Sequence, residues 1–309
     1  MKKIEVLGLE TIPEIKQGDN LAQIIFDSAA NENAGINEKD IIVITSKIIS
    51  KALGLTRKKA NVQITEKAYK IAKKTGKNPV WVQMIMDEGH KIIAVLPMDG
   101  AIERYVLNNS TDADMSQNLC ENEKCLFFTK GPSGRIHTCD AGIDGSNHPE
   151  GIVSLFPQDP DGEALKIRNE IKKISGRNVA VVVADTELTL YGTIDAAVGS
   201  AGINPCSLMF GKKDKFGKPK LGGFDLVGQE ITSASALLFG QTDAGIPVTI
   251  IRGYQYDFDE KRNIGNTMHF AGDKKDVFEI VRRTMELTSY AVDGFKKKIL
   301  LRIGAVFVR

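Results

Sequence analysis

Val179–Thr186 reads V-A-V-V-V-A-D-T. An apolar, β-branched run without a polar break predicts a strand covered on both faces. Its last two residues, Asp185 and Thr186, bring a carboxylate and a hydroxyl to the strand's end. Upstream, D-P-D-G opens a helix whose apolar face is Ala164, Ile167, Ile171 and Ile174. Gly176 ends that helix and joins it directly to the strand. Asp40-Ile41-Ile42-Val43-Ile44 predicts a second buried strand, followed by the polar loop T-S-K-I-I-S-K. Its hydroxyls and lysines are suited to phosphate.

Cys139–Asn147, C-D-A-G-I-D-G-S-N, concentrates polar groups. Gly142 and Gly145 allow a tight turn or close approach to a ligand. Asp140, Asp144 and Asn147 offer the hard oxygen atoms that Mg²⁺, Mn²⁺ or Ca²⁺ take. Farther along, G-Q-T-D-A-G-I-P lies between a helix through Ile231, Ala234, Leu237 and Leu238 and the strand Val248–Arg252. Asp144, Asp185, Thr186 and Gln241 are thus expected at loops beside strands. If they converge, they hold two divalent ions. Two such ions about 3.5–4 Å apart neutralise a polyphosphate and orient phosphoryl transfer. Taken singly, an Asp in a glycine-rich turn is an ordinary turn residue.

The 309 residues are 42% hydrophobic, enough for a sizeable core, and 41 Lys+Arg against 39 Asp+Glu leave a charge of +2. That balance gives no reason to expect nucleic acid as a partner. Cys120, Cys125, Cys139 and Cys206 form no regular framework, and C-E-N-E-K-C lacks a second Cys/His pair, so free thiols are expected. The amino terminus has no long apolar core, and Ile299–Val308 is too short for a membrane span and broken by Arg302. The expectation is a soluble cytoplasmic protein with no membrane partner.

Elsewhere, Lys3–Leu7, Ile92–Leu96, Ile152–Phe156 and Gly223–Val227 read as strands. Leu21–Ala29 reads as a helix. Thr65 caps a helix over Glu66–Thr75 stopped by Gly76, and Asn78-Pro79 starts the next. Residues 108–136 lack periodicity and read as an insertion or mobile loop. From Asp273 an amphipathic helix runs through Val277, Ile280, Val281 and Met285. There is no Walker-type phosphate loop, no dinucleotide fingerprint and no nucleophile elbow. His137 and His148 flank the Asp144 loop; His148 reads first as a surface imidazole, with a base or a metal ligand as the alternatives.

In order, I-P-E-I-K-Q-G-D, I-V-I-T-S-K-I-I-S-K, D-A-G-I-D-G-S-N, V-V-A-D-T and G-Q-T-D-A-G-I-P-V-T-I-I-R-G resemble the coenzyme F420-0:L-glutamate ligase (γ-glutamyl ligase) family. The resemblance spans about residues 4–253. It implies a mixed α/β (α+β) ligase-like domain over residues 1–253, a helical extension over 254–309 and an intertwined homodimer. It implies GTP- and Mg²⁺- or Mn²⁺-dependent joining of L-glutamate to a carboxylate of a small-molecule acceptor. One ion would be held by Asp144 and Asp185, the second by Thr186 and Gln241. The nucleotide would contact Ile12, Pro13, Glu14, Ile15, Ser46, Lys47, Lys51, Asn147, Phe239, Gly240, Gln241, Thr242, Asp243, Ala244, Gly245 and Ile246. Lys51, Asp144 and Asp185 would be catalytic.

The family's G-R-x-[WF]-R segment after the Asp-Thr pair reads E-L-T-L-Y-G-T-I-D here, without arginine between Glu187 and Asp195. Loss of bidentate anion clamps alters the acceptor side. Alternatives are a folate-type γ-glutamyl ligase, a metal-dependent phosphohydrolase, or a non-catalytic relative that binds nucleotide and metal.

Overall fold

A computed structural model describes residues 2–112, 114, 116–117, 123–189, 192–267, 274–292 and 294–307. Cys120 and His269 lie outside them, as do the side chains of Val277, Ile280 and Val281. The chain divides into two compact units, Met1–Thr267 and Met268–Arg309.

In the first unit the strands are β1 (Glu5–Gly8), β2 (Ile41–Thr45), β3 (Thr56–Lys58), β4 (Lys91–Pro97), β5 (Cys125–Lys130), β6 (Ile136–His137), β7 (Ile152–Ser154), β8 (Ala180–Thr189), β9 (Gly192–Ala201), β10 (Ser207–Leu208), β11 (Phe224–Asp225) and β12 (Val248–Arg252). Helices are α1 (Leu21–Asn31), α2 (Ser46–Ala52), α3 (Glu66–Thr75), α4 (Pro79–Asp87), α5 (Ala101–Asn109), α6 (Pro160–Ser175), α7 (Val227–Phe239) and α8 (Ile264–Thr267).

A five-stranded sheet runs β1-β12-β2-β8-β9. Only β2 and β8 pair in parallel; the other neighbours are antiparallel. This mixed sheet has the α/β character expected. The period of two along each strand separates its faces. Ile42, Ile44, Val181, Val183, Val248 and Ile250 pack with Leu21, Ile25, Ile167 and Ile171 of α1 and α6. On the alternate face, Thr249 Oγ1 donates to Ser235 Oγ of α7 at 2.7 Å. Both faces are therefore covered, which explains the unbroken apolar runs. Each fully buried isoleucine contributes roughly 1.5–3 kcal/mol of transfer free energy.

The caps follow the sequence. Thr65 and Asn78 accept from backbone N–H groups of α3 and α4, and Asp159 does the same for α6. Gly76 and Gly176 close α3 and α6 at φ 75° and 70°, where a side chain would be strained.

Three expectations need correction. T-S-K-I-I-S-K is not a loop: after Thr45, Ser46–Ala52 form α2, with apolar Ile48 and Ile49 buried. Asp185 and Thr186 do not end a strand; β8 continues to Thr189 because its hairpin with β9 supplies partners. The stretch 108–136 contains β5, paired between β4 and β6. Phe127 of β5 is fully buried with Val82, Ile85 and Val153 in a second core, so local polarity concealed a packed strand.

The second unit contains α9 (Lys274–Ala291) and α10 (Phe295–Phe307). Arg302 lies over the Tyr290 ring at 4.9 Å. No helix among the described residues is long and apolar enough to cross a membrane.

Candidate active site

A cleft of about 400 Å³ opens where the ends of β2 and α7 meet β8 and β9. Ser46, Lys47 and Lys51 reach it from α2; Asp144, Ser146 and Asn147 from the glycine loop; Asp185, Thr186 and Asp195 from the β8–β9 hairpin. Ile12, Pro13, Glu14 and Ile15 form another part of its wall. Phe239, Gly240, Gln241, Thr242, Asp243, Gly245 and Ile246 line it too. Of the site residues expected from the sequence, all but Asp140 and Ala244 line it.

The alternation along β8 explains Asp185. A register shift between Val183 and Ala184 interrupts pairing with β9 just before it, and such bulges re-aim the side chains that follow. Ser46 Oγ donates to Asp185 Oδ1 at 2.8 Å, tying the start of α2 to β8. Burial pushes the Asp185 carboxyl up to about 7; Ser46 opposes the shift, and neighbouring Glu187 and Asp144 add to it. Asp144 behaves differently. Burial raises it, yet Lys47 and Ser146 more than offset that and hold it below the usual carboxylate range. Lys47 Nζ lies 2.8 Å from Asp144 Oδ2 and donates to Ser146 Oγ at 2.6 Å. Lys51 Nζ pairs with Glu14 Oε1 at 2.6 Å and donates to Asn147 O at 3.1 Å.

Asp195 is the site residue the sequence reading missed. It faces Thr186 across the hairpin. Its Oδ1 accepts from Thr186 Oγ1 at 2.8 Å and from Gln241 Nε2 at 3.3 Å. The available signal was a single carboxylate in the small-residue run I-D-A-A-V-G-S-A. Only 6% exposed, it needs such partners. Gln241 donates through its nitrogen, which leaves the amide oxygen available to a cation.

Asp140 does not join the cleft. Its Oδ2 pairs with buried Lys77 Nζ at 2.6 Å and its Oδ1 accepts from Phe127 N at 2.9 Å, so it holds the second core together. His148 is half-buried rather than a surface imidazole, and its Nε2 lacks a hydrogen-bond partner. Burial, then Lys51 and Lys47, depress its pKa.

The donor chemistry fits divalent cations: Asp144, Asp185 and Asp195 line one cleft, and Asp185, whose pKa is raised chiefly by burial and further by Glu187 and Asp144, lacks a cationic partner of its own among the described residues. The family described as F420-0:Gamma-glutamyl ligase matches residues 10–253. The chain belongs to that family. Relatives named coenzyme F420:L-glutamate ligase include one from Methanosarcina mazei, 32% identical over 82% of this chain and 87% of its own length. A second, from Methanothermobacter thermautotrophicus, is 31% identical over 82% of this chain and 90% of the relative. A third, from Methanocaldococcus jannaschii, is 32% identical over 83% of this chain and 90% of the relative.

Within this F420-0:gamma-glutamyl ligase family member, Glu187 stands close behind the cleft in the arginine-free segment. Its Oε2 accepts from the Thr138 backbone N–H at 2.8 Å and from the Thr138 hydroxyl. The Arg135 guanidinium lies within electrostatic reach of Glu187 and Asp185, though its ion pair is with Asp161 at 3.9 Å.

Proposed function

We propose that this protein is a GTP- and divalent-metal-dependent ligase that joins L-glutamate through an amide bond to a carboxylate of coenzyme F420-0 or a closely related acceptor. The observation that carries this reading is the gathering of Asp144, Asp185, Thr186 and Gln241 with Lys47 and Lys51 in one cleft. Family membership and the printed names of the relatives support the same activity.

Asp144 and Asp185 would hold one Mg²⁺ or Mn²⁺, and Thr186 and Gln241 the other, with Asp195 orienting the latter pair. Bound cations neutralise phosphate charge. Lys47 and Lys51 are engaged by Asp144 and Glu14; when a polyphosphate enters, they redirect to its oxygens. The exposed 240–245 loop and Asn147, joined by Asn147 Nδ2 to Thr242 O at 3.1 Å, form the opposing wall.

The acceptor carboxylate attacks the γ-phosphorus, the bond to the nucleoside diphosphate oxygen breaks, and an acyl phosphate forms. The amine of glutamate then attacks the acyl carbon and expels inorganic phosphate, leaving the amide. The protein's contribution is orientation and charge placement. A homodimer and a cytoplasmic setting belong to the same reading. The test is phosphate release from GTP with Mn²⁺ or Mg²⁺, with and without L-glutamate and each acceptor. Release that requires both, with a product heavier by one glutamyl unit, is expected; release indifferent to glutamate would point to a hydrolase.

The altered segment favours one variation. Glu187 stands where the family resemblance leads one to expect arginine nearby, so a folate-type acceptor is the second reading, and the same acceptor panel separates the two.

A further inference from the structure

His137 and Glu187, which the ligase chemistry does not use, form a cluster with Asp185. One ligating atom from each lies within 4.8 Å of the others. His137 is 2% exposed, and its Nδ1 has no hydrogen-bond partner. Nδ1 instead faces Glu187 Oε1 at 3.5 Å. Neighbouring His90 is satisfied, its Nδ1 lying 3.1 Å from Thr129 Oγ1. A buried imidazole nitrogen with only so long a contact is costly, and here Nδ1 faces the Glu187 carboxylate. Phe156 packs edge-on against the ring at 4.6 Å between centroids and restricts its rotation. Thr138 holds Glu187 by Oε2, which leaves Oε1 for the cluster.

We propose that His137 Nδ1, Glu187 and Asp185 bind a further divalent transition-metal ion, of the zinc or manganese class, beside the nucleotide cleft. Imidazole with carboxylate ligands selects such ions over Mg²⁺, which takes oxygen alone. Three protein ligands and one open position form a known zinc arrangement. Zinc ligands about 2.0–2.2 Å from the ion stand about 3.5 Å apart in a tetrahedral shell, so small side-chain shifts close the cluster. Neither His137 nor Glu187 lines the cleft. Asp185 is common to both places, and an ion here would fix the carboxylate that α2 grips through Ser46. Arg135, the cation nearby, is turned to Asp161. The proposal does not depend on the nucleotide or acceptor assignment.

The test uses the full chain, stripped with chelator, then loaded with Zn²⁺ under a large excess of Mg²⁺ that fills oxygen-only sites. After gel filtration the wild type is expected to keep one zinc per chain. His137→Gln and Glu187→Gln are each expected to weaken zinc at least tenfold, while Asp144→Ala keeps it. X-ray absorption at the zinc edge of the wild type is expected to show one imidazole nitrogen among oxygen ligands; this needs no variant to fold. No retained zinc, a shell of oxygen alone, or unchanged affinity in both glutamine variants would overturn the site. Zinc lost in Asp144→Ala but kept in His137→Gln would place the ion in the nucleotide cleft, overturning this site and leaving the ligase reading intact.

Discussion

Asp185 and Asp195 show how two carboxylates in one hairpin acquire different work. Asp195 is hydrogen-bonded by Thr186 and Gln241 and orients them. Asp195→Ala should lower metal-dependent turnover by on the order of 100-fold, about 2.7 kcal/mol of transition-state stabilisation; steady-state kinetics beside circular dichroism would separate this from misfolding. Burial pushes Asp185 in the folded protein up to about 7 from the ordinary carboxylate value of 3.8. Without cation, the folded protein therefore holds a proton that the unfolded chain releases. Its contribution to stability is present at low pH and is lost as pH rises from about 4 to about 7. A divalent ion displaces that proton, so cation affinity should rise over the same interval. Melting temperature against pH in chelator, and cation titration against pH, should both flatten in Asp185→Asn; unaltered slopes would contradict the assignment. Asp144 and Asp185 were legible as cleft residues, the first from its polar glycine loop and the second from its place after an unbroken apolar run. The place of Asp140 was not, because its sequence neighbourhood is that of Asp144, and it is drawn inward by Lys77, 63 residues away, and by the Phe127 N–H.

Among the elements, the sheet was legible wherever burial on both faces produced an unbroken apolar run, as in β2 and β8. It was hidden where packing demanded small residues. In β9, a Cβ on Gly199 would meet the Pro160 carbonyl carbon at 2.5 Å, so α6 lies directly on the strand and leaves no room for the β-branched signature. Gly199→Ala should destabilise the first unit by about 1–3 kcal/mol through overpacking, seen as a lower denaturant midpoint; an unchanged midpoint would show that α6 can move away. α2 was misread for a related reason: its two lysines and two serines serve the cleft and the β7 side, so its polar composition resembled a loop. Ser50 Oγ donates to Leu155 O at 2.7 Å, using a buried polar residue as a tie rather than a turn signal.

For the whole molecule, the arm between β10 and β11 carries Phe216 and Leu221, 87% and 92% exposed. Leu237 of α7 is also 85% exposed. We propose that these side chains face a second copy of the chain in the homodimer proposed above. The double substitution Phe216→Asp with Leu221→Asp should shift the protein to monomer in analytical ultracentrifugation while leaving circular dichroism unchanged; persistence of the wild-type mass would remove the arm from the interface. The central claim is that a carboxylate is activated by phosphoryl transfer in the Asp144–Asp185 cleft and captured by glutamate. The most direct measurement uses an acceptor carrying oxygen-18 in its carboxylate, with GTP, Mn²⁺ and L-glutamate, and weighs the released phosphate. The account predicts phosphate bearing one labelled oxygen for every amide formed; unlabelled phosphate would mean that water took the phosphoryl group, and would contradict it.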